Sequence, residues 1–500
     1  MHPAGVVAGR GEEAGIRRAR SIVWRARLSV WLLMVAVAAT SCAVPAPSLI
    51  PPTATQSGPV LTPTVASQPV PGGPTLLRAG MTLRDVIDVG SMSVMMALNP
   101  VDGKLYYLQP SSGVNRVDLG PPATSSLVAG AINFPGNAAG LTFGPDGTLY
   151  VVSNLPTTGH MTRATVTRGE SDATGNYTWS TLAATDPYPL SETNFDHLYN
   201  GMTVSPDGKW LFVNAGARTD HGEVEDAHGV FPNTRDVPLT TKIFRLPTDA
   251  QNLKLPNDDA ALNTLGVVYA RGTRNAYSMA FAPNGDLFAI DNGPDADYPD
   301  ELNWIRQGLN YGFPWRFGTQ DNKQQFPNYD SSQDKLLNPD FVAVQSGSYK
   351  NDPTFPKPPP GITFTDPVQN LGPAATQYRA DDGTAHDAAA EGKSLYTFTP
   401  HRSPLGLVFV TDAQLPADLR PAGASLSAFV LSFGAAGGTL TDKGQDLLHL
   451  MLTKQGNNYQ AVTTQIARGF SNPIGSVLIG NHLYVLDYGG KGELWEITFQ

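Results

Sequence analysis

Three groups of residues in this 500-residue chain have types and spacing that could do chemistry. The first is Arg274-Asn275, followed by Asn292-Gly293-Pro294 and an acidic run of Asp297, Asp300 and Glu301. Arginine presents a permanently charged fork that matches a carboxylate, and the neighbouring amide can donate to an oxygen. The second is His197, in the stretch Asp196-His197-Leu198-Tyr199-Asn200-Gly201, whose imidazole can exchange a proton near neutral pH. The third is Cys42, the one cysteine of the chain, which therefore has no internal disulfide partner. Type and spacing alone also allow plainer readings: an ion pair capping a strand, a solvated acidic loop, and a structural histidine.

Arg274, Asn292 and His197 lie beside copies of a repeated signature. It reads Asn99-Pro100-Val101-Asp102-Gly103 before KLYYL, Gly144-Pro145-Asp146-Gly147 before TLYVV, and Ser205-Pro206-Asp207-Gly208 before KWLFV. It returns as Ala282-Pro283-Asn284-Gly285 before DLFAI, and more loosely as Ile479-Gly480-Asn481 before HLYVLD. Asp-Gly and Asn-Gly tolerate positive φ, and an apolar strand precedes as well as follows each turn, so each copy predicts a hairpin of two buried strands. Hairpins recurring every few tens of residues predict a propeller rather than a jelly roll or sandwich. A divergent copy at Pro404-Leu405-Gly406-Leu407-Val408-Phe409 makes the expected count six blades, spanning residues 79–500. The composition agrees: 50 Gly and 42 Pro against 16% charged residues favour short strands joined by turns over long helices. The stretch from Gly318 to Pro400, rich in Pro, Asp and Gln, reads as loop insertions. In such a ring, function belongs to the loops that converge at one end.

The N-terminus predicts export. Arg17, Arg18, Arg20, Arg25 and Arg27 precede the apolar run LSVWLLMVAVAA, which is too short to span a bilayer comfortably and suits a signal sequence. Thr40-Ser41-Cys42 then resembles a bacterial lipobox, so residues 1–41 are expected to be a signal peptide and Cys42 a lipidation site. Residues 42–78 read as a Pro/Ser/Thr-rich linker, with nine prolines and no charge between Ala43 and Leu77. This predicts a domain held to the extracytoplasmic side of a bacterial membrane by its lipid alone. Beyond residue 41 there remain 28 Lys/Arg against 42 Asp/Glu, a net of −14, which argues against a nucleic-acid partner.

The segment RGTRNAYSMAFAPNGDLFAIDNGPDADYPDELNWIRQGLNYGFPW, residues 271–315, resembles the pyrroloquinoline quinone (PQQ)-dependent glucose/sorbosone dehydrogenase family. The shared elements are Arg274-Asn275, the Asn284-Gly285 turn, Gly293-Pro294, the acidic cluster, Glu301-Leu302-Asn303 and Asn310-Tyr311-Gly312-Phe313-Pro314. A weaker likeness runs from about Met81 to the C-terminus. The resemblance implies PQQ and Ca²⁺ as cofactors, an aldose or related polyol as substrate, and an external electron acceptor. It implies Arg274, Asn275 and Asn292 as cofactor-binding residues, and the carbonyls of Gly293 and Pro294 as ligands of the metal, which prefers oxygen. It implies His197 as the general base. Two departures stand out. No carboxylate follows the strand ending at Val213-Asn214-Ala215, leaving Asp220, Glu223 or Asp196 to orient the histidine. No Lys or Arg lies between Arg420 and Lys443, leaving His401, Arg402 and Arg468 as candidate cations. The alternative is a degenerate propeller that binds a glycan or protein; a metal-dependent lactonase fits His197 and Gly293-Pro294 less well.

Overall fold

The computed structural model describes residues 70–411, 414–423, 425–434 and 438–500. All of these belong to one unit, Pro51–Gln500. The expected signal peptide, Cys42 and the linker up to residue 69 lie outside the described residues.

Six sheets stand around a ring, antiparallel except where Leu253–Leu255 joins the second and Gln369–Pro373 the fifth in parallel. Their innermost strands are Met95–Leu98, Asn137–Phe143, Tyr199–Val204, Ser278–Phe281, Pro404–Phe409 and Pro473–Ile479. Each packs against the innermost strand of the next blade, and the sixth packs against the first. This is the six-bladed β-propeller expected from the repeats.

The repeated turn joins the innermost strand of a blade to its second strand. Gly103, Gly147, Gly208, Gly285 and Gly480 all take positive φ, between 60° and 88°, where a side chain would be strained. The preceding acid or amide fixes four of these turns. Asp102 accepts from Lys104 N–H (2.9 Å), Asp146 from Thr148 (3.0 Å), Asp207 from Lys209 (3.2 Å) and Asn284 from Asp286 (3.1 Å). Such side-chain mimicry of a turn is why these residue types recur there. The fifth blade lacks the device: Pro404–Phe409 reaches its partner Leu426–Ser432 through a long connection.

The second strands are apolar on both faces because neighbouring blades cover both. Leu426–Ser432 is buried at every position, and Leu287–Asp291 likewise. The core lies between blades. Tyr150, Val152, Leu211 and Val213 fill the gap between the second and third, and Phe288, Leu302, Val430 and Leu448 that between the fourth and fifth.

The ring is closed by pairing the two ends of the described chain. Met81–Asp88 lies against Glu493–Phe499, with Met81 opposite Phe499 and Leu83 opposite Ile497. Ile497 and Phe499 are buried, each contributing about 1.5–3 kcal/mol by leaving water. Thr75–Leu76 adds a further strand to the fifth blade, against Arg468 and Ala467. The stretch between Gly318 and Pro400 is mostly irregular, with 3-10 turns at Lys323–Gln325 and Ser331–Gln333, a short α-helix at Val342–Gln345, the strand Gln369–Pro373 and a hairpin of Gln377–Arg379 with Ala385–Asp387, as its composition suggests.

Candidate active site at the channel mouth

With the repeated turns at one end of the ring, the segments leading into the innermost strands gather at the other. His197 precedes Tyr199–Val204, Arg274-Asn275 precede Ser278–Phe281, and Arg402-Ser403 precede Pro404–Phe409. The second strands finish at this same end, and their last residues tie these segments down. Asp291 accepts the N–H of Arg274 (2.9 Å) and of Asn275, Asp487 accepts that of Ser471 (3.1 Å), and Ser432 Oγ accepts from Arg402 Nη2 (3.1 Å). Buried N–H groups of irregular backbone need such acceptors. Asp291 thus positions both residues of the Arg-Asn pair, a role the sequence reading missed. Its signal was present: LFAID and LYVLD close on an aspartate at matching places in two blades.

His197 is part-buried and its ring is oriented by backbone. Ala217 O accepts both His197 N–H (2.9 Å) and Nδ1–H (3.2 Å). A carbonyl only accepts, so Nδ1 carries a proton toward Ala217, and the backbone of Phe195 makes a second contact with the ring. Burial, then the charge of Arg274, push the imidazole down to about 3, so it is neutral at working pH. Gly216 makes the approach possible: a Cβ there would come within 2.5 Å of His197 Cβ. None of the three carboxylates considered for the histidine bonds it. Asp196 instead caps Ser191 N–H (2.9 Å) and Glu192 N–H (2.9 Å), Glu223 caps Asp220 and His221 N–H, and Asp220 turns to Arg274.

Arg274 is buried and held by its neighbours. Its Nε donates to Asp220 O (2.7 Å) and its Nη2 to Asp220 Oδ1 (2.7 Å). Nη1 makes only a long contact of 3.4 Å with Asn292 O, so it is the least engaged nitrogen of the fork. Ala217 N–H donates to Arg274 O (2.8 Å), joining the arginine segment to the carbonyl that aims His197. Burial alone would raise the Asp220 pKa, but Arg274 and His221 hold the carboxyl below its ordinary value. Removing Asp220 would take away the direct ion pair of this buried guanidinium, leaving only the more distant Asp295 and Asp291 to compensate it.

A chain of amides runs across the mouth. Asn214 donates to Asn200 (2.7 Å), Asn200 to Asn275 (2.8 Å), Asn275 to Asn292 (2.9 Å), and Asn292 to Pro404 O (3.1 Å). Head-to-tail order fixes which end of each amide is oxygen. Asn275 and Asn292 are thereby fixed in orientation, each with one N–H committed within the chain.

The carbonyl oxygens of Gly293 and Pro294 accept no hydrogen bond among the described residues, which suits them to a hard cation. Asp300 shapes this loop, accepting Gly293 N–H (2.7 Å) and Ser403 N–H (2.9 Å). Asp297 anchors it through Arg379 (2.6 Å) and His401 Nε2 (2.8 Å). His401 is thereby engaged. Arg402 is fully buried against Asp446 (2.5 Å) and Asp442. Arg468 is exposed at the end of Asn458–Arg468. The structure therefore brings His197, Arg274, Asn275, Asn292 and Gly293-Pro294 to the same end of the ring, linked by hydrogen bonds through Ala217, Asn200 and Asn292.

The family model for glucose/sorbosone dehydrogenase matches residues 112–349. The resemblance is to the glucose/sorbosone dehydrogenases. Quinoprotein glucose dehydrogenase B of Acinetobacter calcoaceticus is 29% identical over 157 residues, covering 28% of this chain and 31% of that protein. The chain thus matches under a third of that relative's length. Among solved structures, the PQQ domain of pyranose dehydrogenase from Coprinopsis cinerea aligns with a TM-score of 0.53 at 14% identity, covering 86% of this chain and 98% of that one. The soluble aldose sugar dehydrogenase of Escherichia coli aligns with a TM-score of 0.52 at 16% identity, covering 84% and 100%. At these identities the structural likeness concerns the fold. The glucose/sorbosone dehydrogenase match covers His197, Arg274, Asn275, Asn292 and Gly293-Pro294, but not the fifth and sixth blades.

Proposed function

We propose that the protein oxidises an aldose or related polyol with PQQ and Ca²⁺ as cofactors. The observation that carries this is a neutral His197, aimed by Ala217 and joined through it to the Arg274 segment. Arg274 Nη1 and the spare N–H groups of Asn275 and Asn292 would hold carboxylate and carbonyl oxygens of PQQ. The carbonyls of Gly293 and Pro294 would ligate Ca²⁺. When bound, PQQ with its metal supplies the two-electron acceptor chemistry that side chains lack. His197 Nε2 takes the hydroxyl proton of the sugar, and Nδ1–H, donated to Ala217 O, holds the ring in place as charge develops. An external acceptor would then be required to take up the electrons.

Cys42 and the linker support a location on the extracytoplasmic side of a membrane, anchored by lipid. A second reading, a degenerate propeller that binds a glycan or protein, is favoured by the engagement of His401 and Arg402 with aspartates. Titrating the purified protein with PQQ, with and without Ca²⁺, and following cofactor absorbance separates the two. Calcium-dependent binding with dye-linked aldose oxidation supports the enzyme; no binding at any calcium concentration supports the module.

A further inference from the structure

Arg274 does not face Asp220 alone. Asp220 Oδ2 accepts from His221 Nδ1 (2.9 Å) and from Tyr349 OH (3.1 Å), while Oδ1 takes Arg274 Nη2 (2.7 Å) and Asp295 N–H (3.0 Å). The His221 ring stacks on Tyr349 with centroids 3.7 Å apart. Glu223 lies 3.3 Å from His221 Nδ1 and accepts the backbone N–H of Asp220 and of His221, both at 2.7 Å. Four ionisable groups thus follow one another through a buried corner: Arg274, Asp220, His221 and Glu223. Neither the repeat nor the family motifs singled out His221.

We propose that His221 is a positioning residue of the cofactor clamp: its Nδ1–H fixes the Asp220 carboxylate, which fixes Arg274 with Nη1 left for the ligand. A carboxylate can rotate about its Cβ–Cγ bond. With Oδ2 pinned by His221 and Tyr349, only Oδ1 is left to meet Nη2. The groups facing the imidazole are Asp220 and Glu223 from its own loop, Tyr349 from the long connection, and Gln324 from the turn at 323–325. Burial works against charge on the ring, but Glu223 and Asp220 outweigh it and raise its pKa.

This inference rests on the proposed PQQ reading, and its test is built to fail separately. His221→Gln keeps a donor toward Asp220 but loses the ring; His221→Phe keeps the ring on Tyr349 but loses the donor. PQQ affinity is measured in Ca²⁺ for both variants, for Arg274→Ala and for His221→Phe with Arg274→Ala. The expected result is a loss of about tenfold or more for Phe, the scale of one charged hydrogen bond, and under threefold for Gln. In the Arg274→Ala background the Phe change should have no further effect. Urea midpoints of the cofactor-free proteins provide the same cycle, and non-additive losses are expected there too. A merely space-filling histidine predicts the reverse order, with Gln worse than Phe, and additive losses; either result overturns the proposal. If wild type binds no PQQ, the functional reading falls, and the urea cycle alone decides whether His221 acts through Arg274.

Discussion

The carbonyl oxygen of Ala217 receives two hydrogen bonds from His197, one from the backbone N–H at 2.9 Å and one from Nδ1 at 3.2 Å. Backbone does here what a carboxylate was expected to do. An aspartate would stabilise the imidazolium as well as orient the ring; a neutral carbonyl orients it with a weaker electrostatic gain.

This arrangement depends on Gly216. Replacing it by Ala puts a Cβ within 2.5 Å of His197 Cβ and 2.9 Å of Leu198 O, so the histidine segment must shift. Misplacing a catalytic group by about 1 Å costs on the order of 10²-fold in rate. Gly216→Ala is expected to lower turnover by about that factor while PQQ affinity changes little. Steady-state kinetics beside a cofactor titration checks this; unchanged turnover would mean that the ring position is not critical.

His449 predicts an acid sensitivity. Ser427 Oγ donates to Leu419 O (2.6 Å), so it accepts from His449 Nε2 (2.9 Å), and burial pushes the imidazole down to about 4. In the unfolded chain a histidine titrates near 6.5. Between these values the unfolded state binds more protons, so stability falls as pH drops from about 6.5 to 4. His449→Gln should flatten that part of the curve by roughly 1–3 kcal/mol. Urea unfolding at a series of pH values measures it, and an unchanged slope would place the sensitivity elsewhere.

The anchor is tested in cells. Wild type is expected to sediment with membranes, and Cys42→Ala to be released or left unprocessed. Equal membrane association of the two forms would remove the lipidation proposal.

Five of the six blades were legible because one backbone requirement, positive φ after an Asp or Asn, left Gly103, Gly147, Gly208, Gly285 and Gly480 in the same place. The fifth blade was visible only as PLGLVF, since its first turn is a long connection. The absence of Lys and Arg after Arg420 has a plain cause: residues 426–432 form a second strand buried at every position, where a cation would be costly. His197, Arg274 and Asn275 were legible through the family motifs. Asp291, His221 and the amide chain were not, because their roles come from contacts between loops far apart in sequence, such as Asn200 with Asn275. Hydrophobic period and turn signals carry no information about such pairs.

His197 and Arg274 have different proposed tasks, and the most direct test is to separate them. Cofactor titration and dye-linked turnover on a panel of aldoses are measured for wild type, His197→Ala and Arg274→Ala. His197→Ala should keep PQQ affinity within a few-fold and lose about 10²–10⁴ in rate, the range for a positioned base. Arg274→Ala should weaken PQQ binding by about 1.5–3 kcal/mol, the scale of a charged hydrogen bond. Equal activity of wild type and His197→Ala would show that the proton leaves by another route and contradict the central claim.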